Sequence, residues 1–238
     1  MTRKTDLVIV AAGKGSRMKN SVPKALIEIA GVRNVDRTIA LAKPHFENIY
    51  VVISKDAEWP EIKDAHLVPI ESGKGDGHAM LKFLNAVDAT ERVCVVWGDA
   101  VFQDNSSFVQ MIRDDSLIGC VGVRIEENPY VNIKTNGLKV THAEFSKHGE
   151  ISSSGNHDQS IFIFNTIVLK NALRTIHETT WKGDKYILEG GELSLLHTFH
   201  YLNNIGFPMQ IVHMDKETLS YNTPGELEAI RVYFSKKV

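Results

Sequence analysis

At 238 residues, with 43% hydrophobic and 24% charged side chains, the chain is long enough for one substantial α/β domain, and its composition excludes a disordered chain or a disulfide-stapled miniprotein. A net charge of −2, with Lys and Arg scattered along the chain, leaves none of the basic footprint of a duplex-binding protein, so nucleic acid is not an expected partner. The apolar run in MTRKTDLVIVAAG is too short to cross a bilayer or serve as a secretory segment, so a cytoplasmic location with no membrane partner is expected.

Leu7 to Ala12 is apolar throughout and bounded by Gly13, the pattern of a central parallel strand buried on both faces. Similar runs recur from Ile49 to Ile53 and from Val93 to Trp97, with amphipathic stretches between them at about Val35 to Ala42 and His78 to Val87. This alternation predicts right-handed βαβ units on a parallel sheet. Leu117 to Ile125 and Ser160 to Leu169 read as strands, separated by a polar segment with Asn136-Gly137 and Ser152 to Ser154 that predicts hairpins and loops over a site. Glu192 to Asn204 has helical spacing at Leu195, Leu196, Phe199 and Leu202, ended by Gly206 and Pro208. A strand from Met209 to His213, a turn at Asn222-Thr223-Pro224 and a helix from Gly225 to Phe234 complete the chain. The two cysteines, Cys94 and Cys120, sit in apolar strand-like runs and are expected in the core. No repeat or linker divides the sequence, so a single domain over 1–238 is expected, with a nucleotide-binding half to about residue 115 and an acceptor-binding half after it.

The segment from Ala11 to Lys24, AAGKGSRMKNSVPK, follows the first strand directly. Gly13 and Gly15 let the backbone approach a polyphosphate, loop N–H groups can line an anion-binding concavity, and Arg17 and Lys24 add charge. The dinucleotide fingerprint and the Walker loop are both excluded, since the third glycine of one and the Gly-Lys-Ser/Thr of the other are missing. A tight strand-to-helix turn with solvated basic residues is the alternative for this segment taken alone.

Further blocks narrow the reading. Pro23-Lys24 after the glycine loop, Ala25 to Gly31 beyond it, Gly75-Asp76-Gly77-His78-Ala79-Met80, Trp97-Gly98-Asp99-Ala100 and Asn222-Thr223-Pro224-Gly225-Glu226-Leu227 occur in one order along the chain. Together they resemble the sugar-phosphate nucleotidyltransferases, a superfamily of MobA-like NTP transferase domains, and within it the N-acetylglucosamine-1-phosphate uridyltransferases and the stand-alone phosphocholine-type cytidylyltransferases. The resemblance implies a GT-A-like, Rossmann-like three-layer αβα sandwich with a mixed, mostly parallel sheet.

It also implies Mg²⁺ as cofactor, a nucleoside triphosphate and a small phosphorylated acceptor as partners, and a set of roles. Lys24 and Arg17 would be catalytic, bearing on the reacting and leaving phosphates. Ala11, Ala12, Gly13, Gly15, Ser16, Gly75, Asp76, Gly77 and Gly98 would line the nucleotide site. Asp99 after a buried strand, with the amide oxygen of Asn222, would hold the metal, a hard ion that needs few protein oxygens; a turn or helix cap is the alternative for each. Asp76 replaces the threonine of the uridyltransferase block, and Glu71 falls near the expected uracil-reading glutamine. A carboxylate only accepts, and cytosine offers an N4 amino donor, which tilts the choice toward CTP over UTP if Glu71 reaches the base. The sugar-recognising pattern is not kept; Tyr130, Glu144, Asp158, Lys185 and Glu192 are the acceptor-site candidates, with Lys147 and His157 behind them. The chain ends where bifunctional uridyltransferases continue into an acetyltransferase, so one reaction is expected. A sugar-1-phosphate uridylyltransferase, a molybdenum-cofactor nucleotidyltransferase and a silent nucleotide sensor remain the alternatives.

Overall fold

The computed structural model describes residues 3–13, 22–145 and 153–236. Its elements run β1 (Thr5–Val10), β2 (Glu28–Ile29), β3 (Val32–Arg33), α1 (Asn34–Ala42), β4 (Ile49–Ser54), β5 (His66–Ile70), α2 (Asp76–Ala86), β6 (Arg92–Trp97), β7 (Ala100–Val101), α3 (Ser106–Ile112) and β8 (Gly119–Glu127). They continue with β9 (Val131–Asn136), β10 (Lys139–Phe145), β11 (Ser154–Asn165), α4 (Thr166–Thr180), α5 (His197–Asn204), β12 (Gln210–His213), β13 (Leu219–Ser220) and α6 (Pro224–Ser235).

Nine strands form one sheet in the order β5-β4-β1-β6-β11-β8-β12-β10-β9. β1 runs parallel to β4, with Leu7 opposite Ile49, and parallel to β6, with Leu7 opposite Cys94. β11 is antiparallel to both β6 and β8, and β12 returns parallel to β8. Side chains alternate between faces with the two-residue period of a strand. Leu7, Ile9, Cys94, Val96, Ile161 and Ile163 pack beneath α1 and α3. Val8, Val10, Val93, Val95, Phe162 and Phe164 pack against α2, α4 and α5 on the other face. The result is the expected three-layer mixed α/β architecture, with both cysteines buried in the strands and their thiol pKa values pushed up by that burial. Among the described residues no helix is long and apolar enough to cross a membrane.

Three expectations change. The strand read as Ser160 to Leu169 ends at Asn165, whose side-chain oxygen accepts from the N–H groups of Ile167 and Val168 (3.1 Å each) and so caps α4. From there the buried positions follow helical spacing at Leu169, Ala172, Leu173 and Ile176. The helix read from Glu192 begins only at His197. The reason is a long-range contact: the N–H groups of Leu193 and Leu195 are committed to Lys74 O (3.0 Å) and the Asp76 carboxylate (2.5 Å). β5 and α3 join the predicted elements as additional ones. The polar Asn136-Gly137 turn does join a hairpin, β9 with β10, and Gly137 supplies its positive φ of 60°.

Candidate functional site

A cleft of about 560 Å³ opens at the carboxyl ends of β1, β5 and β6, where open α/β sheets place ligands. The cleft is lined by Ala12, Gly13, Glu71, Gly75 and Asp76, by Trp97, Asp99 and Asn222, and by Tyr130, Phe145, His157, Asp158, Ser160 and Glu192.

Lys24 sits at the head of a short 3₁₀ turn, Lys24–Leu26, held by buried Ala25 and by the Tyr221 hydroxyl, which donates to Lys24 O at 2.7 Å. Its ammonium donates to Asp99 Oδ2 (2.8 Å), Asn222 Oδ1 (2.9 Å) and Tyr221 O (3.3 Å). Both Lys24 and Asp99 keep part of their side chain open to the cleft, with 18% and 23% exposed. An ion pair with this much access to water contributes little to stability, so the arrangement matters for the charge it concentrates rather than for holding the fold.

Each member is fixed by its own neighbours. Asp99 follows Gly98, whose Cα is so close to β1 that an added Cβ would lie 3.0 Å from the Ala11 Cβ and 3.1 Å from Val10 O. Asn34, 1% exposed at the start of α1, donates its amide to Gly98 O (3.1 Å) and Ala100 O (2.9 Å) and clamps the turn that carries Asp99. Asn222 stands just before α6, where Glu226 Oε2 accepts from the N–H groups of Asn222 (2.6 Å) and Thr223 (2.9 Å), while the Thr223 hydroxyl caps Glu226 N in return. Tyr221, fully buried, has its phenol pKa pushed up by burial first and by Asp99 second.

Two oxygens, Asp99 Oδ2 and Asn222 Oδ1, therefore converge on one cationic atom at under 3 Å. That donor set, one carboxylate and one amide oxygen in a partly open cleft, fits Mg²⁺, which takes one or two protein oxygens and completes its shell with phosphates and water. The ammonium of Lys24 marks the position where positive charge is wanted.

The nucleotide-side residues divide. Ala12, Gly13, Glu71, Gly75 and Asp76 line the cleft, whereas Ala11, Gly77 and Gly98 are packing positions beside it. Gly75 has φ of 96°, and a Cβ there would fall 2.3 Å from Leu193 O; on Gly77 it would fall 2.7 Å from Ser194 C. Glu71 lies exposed on the rim, paired with Lys55 (3.0 Å) and Lys74 (3.7 Å). Gly15, Ser16 and Arg17, like Lys147 on the acceptor side, lie outside the described residues.

His78, at the first turn of α2, points away from the cleft. Its Nδ1 lies 2.5 Å from the Tyr186 hydroxyl, which is also 2.8 Å from His177 Nδ1, inside a cluster completed by Trp181. Desolvation, followed by Lys82 and Lys74, lowers the His78 pKa to about 4. One hydroxyl hydrogen can serve only one of the two imidazoles, so the other must donate. His78 Nε2 is buried with no partner among the described residues, and an unpaired acceptor costs less there than an unpaired N–H. His78 accordingly donates from Nδ1 to Tyr186, and Tyr186 donates to His177.

Of the residues expected at the acceptor site, Tyr130, His157, Asp158 and Glu192 reach the cleft. Glu144 pairs instead with Lys134 on the β9–β10 hairpin (2.8 Å), and Lys185 is exposed in the turn after α4; neither is brought to the cleft wall, because each sits on the solvent side of its element. Asp158 is 7% exposed, and burial raises its pKa, with the neighbouring His157 opposing and Glu126 and Asp99 adding. Its Oδ1 accepts from Ser160 N (3.0 Å) across a bulge in β11 where Ser160 adopts φ of 57°. Asn34, Trp97, Ser160 and Ser194 were not assigned to the site from the sequence. Only Ser160 and Trp97 had a signal, the polar break Asp158-Gln159-Ser160 before an apolar run and an aromatic at the end of a buried strand.

Comparison with known proteins agrees with this geometry. Residues 7–124 match the family model described as the MobA-like NTP transferase domain. Curated relatives include the bifunctional protein GlmU of Buchnera aphidicola, 28% identical over 136 residues, covering 54% of this chain and 29% of the relative. The GlmU of Methanococcus maripaludis is 24% identical over 228 residues, covering 90% of this chain and 54% of that one. The chain thus spans between about a quarter and a half of the length of these relatives. Among solved structures, the inositol-1-phosphate CTP transferase of T. maritima superposes with a TM-score of 0.73 at 17% identity, covering 98% of this chain and 96% of the other. HddC from Yersinia pseudotuberculosis gives 0.70 at 15% identity, covering 96% and 99%. Residues 7–124 thus match the MobA-like NTP transferase domain, in a chain whose overall fold resembles these solved structures and whose cleft at the strand ends gathers Lys24, Asp99 and Asn222.

Proposed function

We propose that the protein is a Mg²⁺-dependent nucleotidyltransferase that moves a nucleoside monophosphate from a pyrimidine NTP, CTP slightly ahead of UTP, to a small phosphorylated acceptor and releases pyrophosphate. The observation that carries this reading is the convergence of the Lys24 ammonium, the Asp99 carboxylate and the Asn222 amide oxygen at the mouth of the strands. Bringing two phosphates together requires positioning and charge neutralisation above all. An oxygen of the acceptor phosphate attacks the α-phosphorus of the NTP, a new P–O bond forms, and the bond to the β-phosphate oxygen breaks as pyrophosphate leaves. The attacking phosphate is already ionised at neutral pH, so no protein group need remove a proton.

Within this scheme Lys24 holds the reacting α-phosphate and the incoming phosphate, and Arg17 with the Gly13 to Ser16 amides holds the leaving pyrophosphate. Asp99 and Asn222 would ligate Mg²⁺, which when bound offsets phosphate charge and aligns the two substrates. Glu71, on the rim with only acceptor oxygens, suits the amino edge of cytosine. Asp158 and Glu192 present carboxyl oxygens to the cleft, which suits an acceptor rich in hydroxyl or ammonium donors, such as a precursor of a cell-surface polysaccharide. Dependence on the nucleotide pool places the enzyme in the cytoplasm.

The test is a pyrophosphate-release screen with Mg²⁺, crossing CTP, UTP, GTP, ATP and dTTP against phosphocholine, aminoethylphosphonate and sugar 1-phosphates. One productive pair is expected, abolished by EDTA, with kcat lowered about 10²–10³-fold in Lys24→Ala, the scale of losing one preorganised charge-stabilising donor. Turnover that survives EDTA and Lys24→Ala unchanged would overturn the reading.

A further inference from the structure

The nucleotide side and the acceptor side of the cleft meet backbone to backbone. Leu193 N donates to Lys74 O (3.0 Å), and Leu193 O accepts from Gly77 N (2.9 Å) and His78 N (3.3 Å). Gly75 and Gly77 permit this approach because a Cβ on either would collide with the main chain of Leu193 or Ser194. One side chain joins the seam: Asp76 Oδ1 accepts from Leu195 N at 2.5 Å. Asp76 thus spends its hydrogen bonds on the opposite wall, although it stands where the resembled sequence pattern has a threonine that serves the nucleotide.

What it holds in place matters. Glu192 and Ser194 both line the cleft, and the stretch between the Glu189–Gly191 turn and α5 that carries them has no helix of its own. Leu193 and Leu195, both fully buried, anchor it to the core, but their N–H groups find partners only on the nucleotide loop and Asp76.

We propose that Asp76 is a positioning residue, whose carboxylate fastens the Glu192–Leu196 wall to the nucleotide loop and so sets the acceptor end of the cleft from the nucleotide end. The identity of the two ends rests on the nucleotidyl-transfer reading; the tether itself does not. The experiment has two arms. In ligand-free protein, amide exchange at Leu195 is expected to quicken at least about tenfold in Asp76→Ala and to stay within about threefold in Asp76→Asn, whose amide oxygen keeps the bond. With the NTP and acceptor found by the screen, Asp76→Ala is expected to raise the acceptor KM about tenfold or more, and by more than it raises the NTP KM, with Asp76→Asn recovering most of the loss.

A rise confined to the NTP KM would overturn the proposal, because Asp76 would then be acting on the nucleotide. An unchanged Leu195 amide in Asp76→Ala would overturn it as well. A loosened amide in protein that shows no transfer with any pair would uphold the tether and sink the transfer reading. Should Asp76→Ala not fold, Asp76→Ser carries the same two arms, since it keeps a polar group at the position but its hydroxyl is one bond too short for Leu195.

Discussion

Replacing Tyr186 by phenylalanine removes one oxygen and nothing else from a side chain that is 2% exposed. That oxygen serves two imidazoles, His78 at 2.5 Å and His177 at 2.8 Å. Without it His78 has no partner at either ring nitrogen, since Nε2 is already unpaired among the described residues. Two hydrogen bonds at a net value near 1 kcal/mol each, plus a buried N–H left unsatisfied at about 1–3 kcal/mol, come to about 3–5 kcal/mol. For a chain of this length that corresponds to a melting temperature lower by roughly 6–20 °C. Differential scanning calorimetry of wild type and Tyr186→Phe at pH 7.5 measures it, and exchange should quicken in the same variant over the first turn of α2 and residues 186–193. A melting temperature within about 2 °C of wild type would refute the assignment of Tyr186 as the shared donor and acceptor of this cluster.

Two further outcomes are expected. Between about pH 4 and 6.5 the unfolded chain binds the proton that folded His78 refuses, so this group makes stability rise with pH; Asp76, raised by burial to about 6, keeps a proton that the unfolded chain has lost and opposes the trend over most of the same window. Asp76→Asn removes the opposing group, so its stability measured by urea titration should climb more steeply between pH 4 and 6, by up to about 1.4 kcal/mol per pH unit, and an unchanged slope would contradict the burial of Asp76. Gly75→Ala places a Cβ 2.3 Å from Leu193 O at a φ of 96°, so the variant should melt well below wild type and raise the acceptor KM even where it folds; circular dichroism and the pyrophosphate assay report the two effects, and wild-type values in both would refute the close approach.

The parallel half of the sheet was legible because nothing competes with it: LVIV and VCVVW are apolar on both faces and end at glycines, and they became β1 and β6. The start of α4 was not, because Ile167 and Val168 continue the apolar run of β11 and only Asn165, acting as a cap, breaks it. The first turn read into Glu192 to Leu196 failed for the opposite reason, since helical spacing was present but the N–H groups were taken by a loop more than a hundred residues away in sequence. At the site, Lys24, Asp99 and Asn222 come from three distant segments, and only the ordered blocks, not any spacing, marked them as companions. Asn34 left no trace: an asparagine at a helix start reads as a cap, whereas here its amide reaches across to Gly98 and Ala100.

β11 carries a consequence for how this chain can be cut and how it folds. It pairs with β8 along both halves; its carboxyl half, Ile161 to Asn165, also pairs with β6, and its amino half, through His157 opposite Asn132, with β9, closing β11, β8, β12, β10 and β9 into a ring. A fragment ending near residue 115 would keep the glycine loop and the strand leading to Asp99 but strip β6 of that neighbour, baring a long apolar edge open to pairing with other copies. Expressed alone, such a half should go to inclusion bodies. In the intact chain β6 must wait about sixty residues of synthesis for its partner, a long-range pairing of the kind that slows folding and lengthens exposure to aggregation.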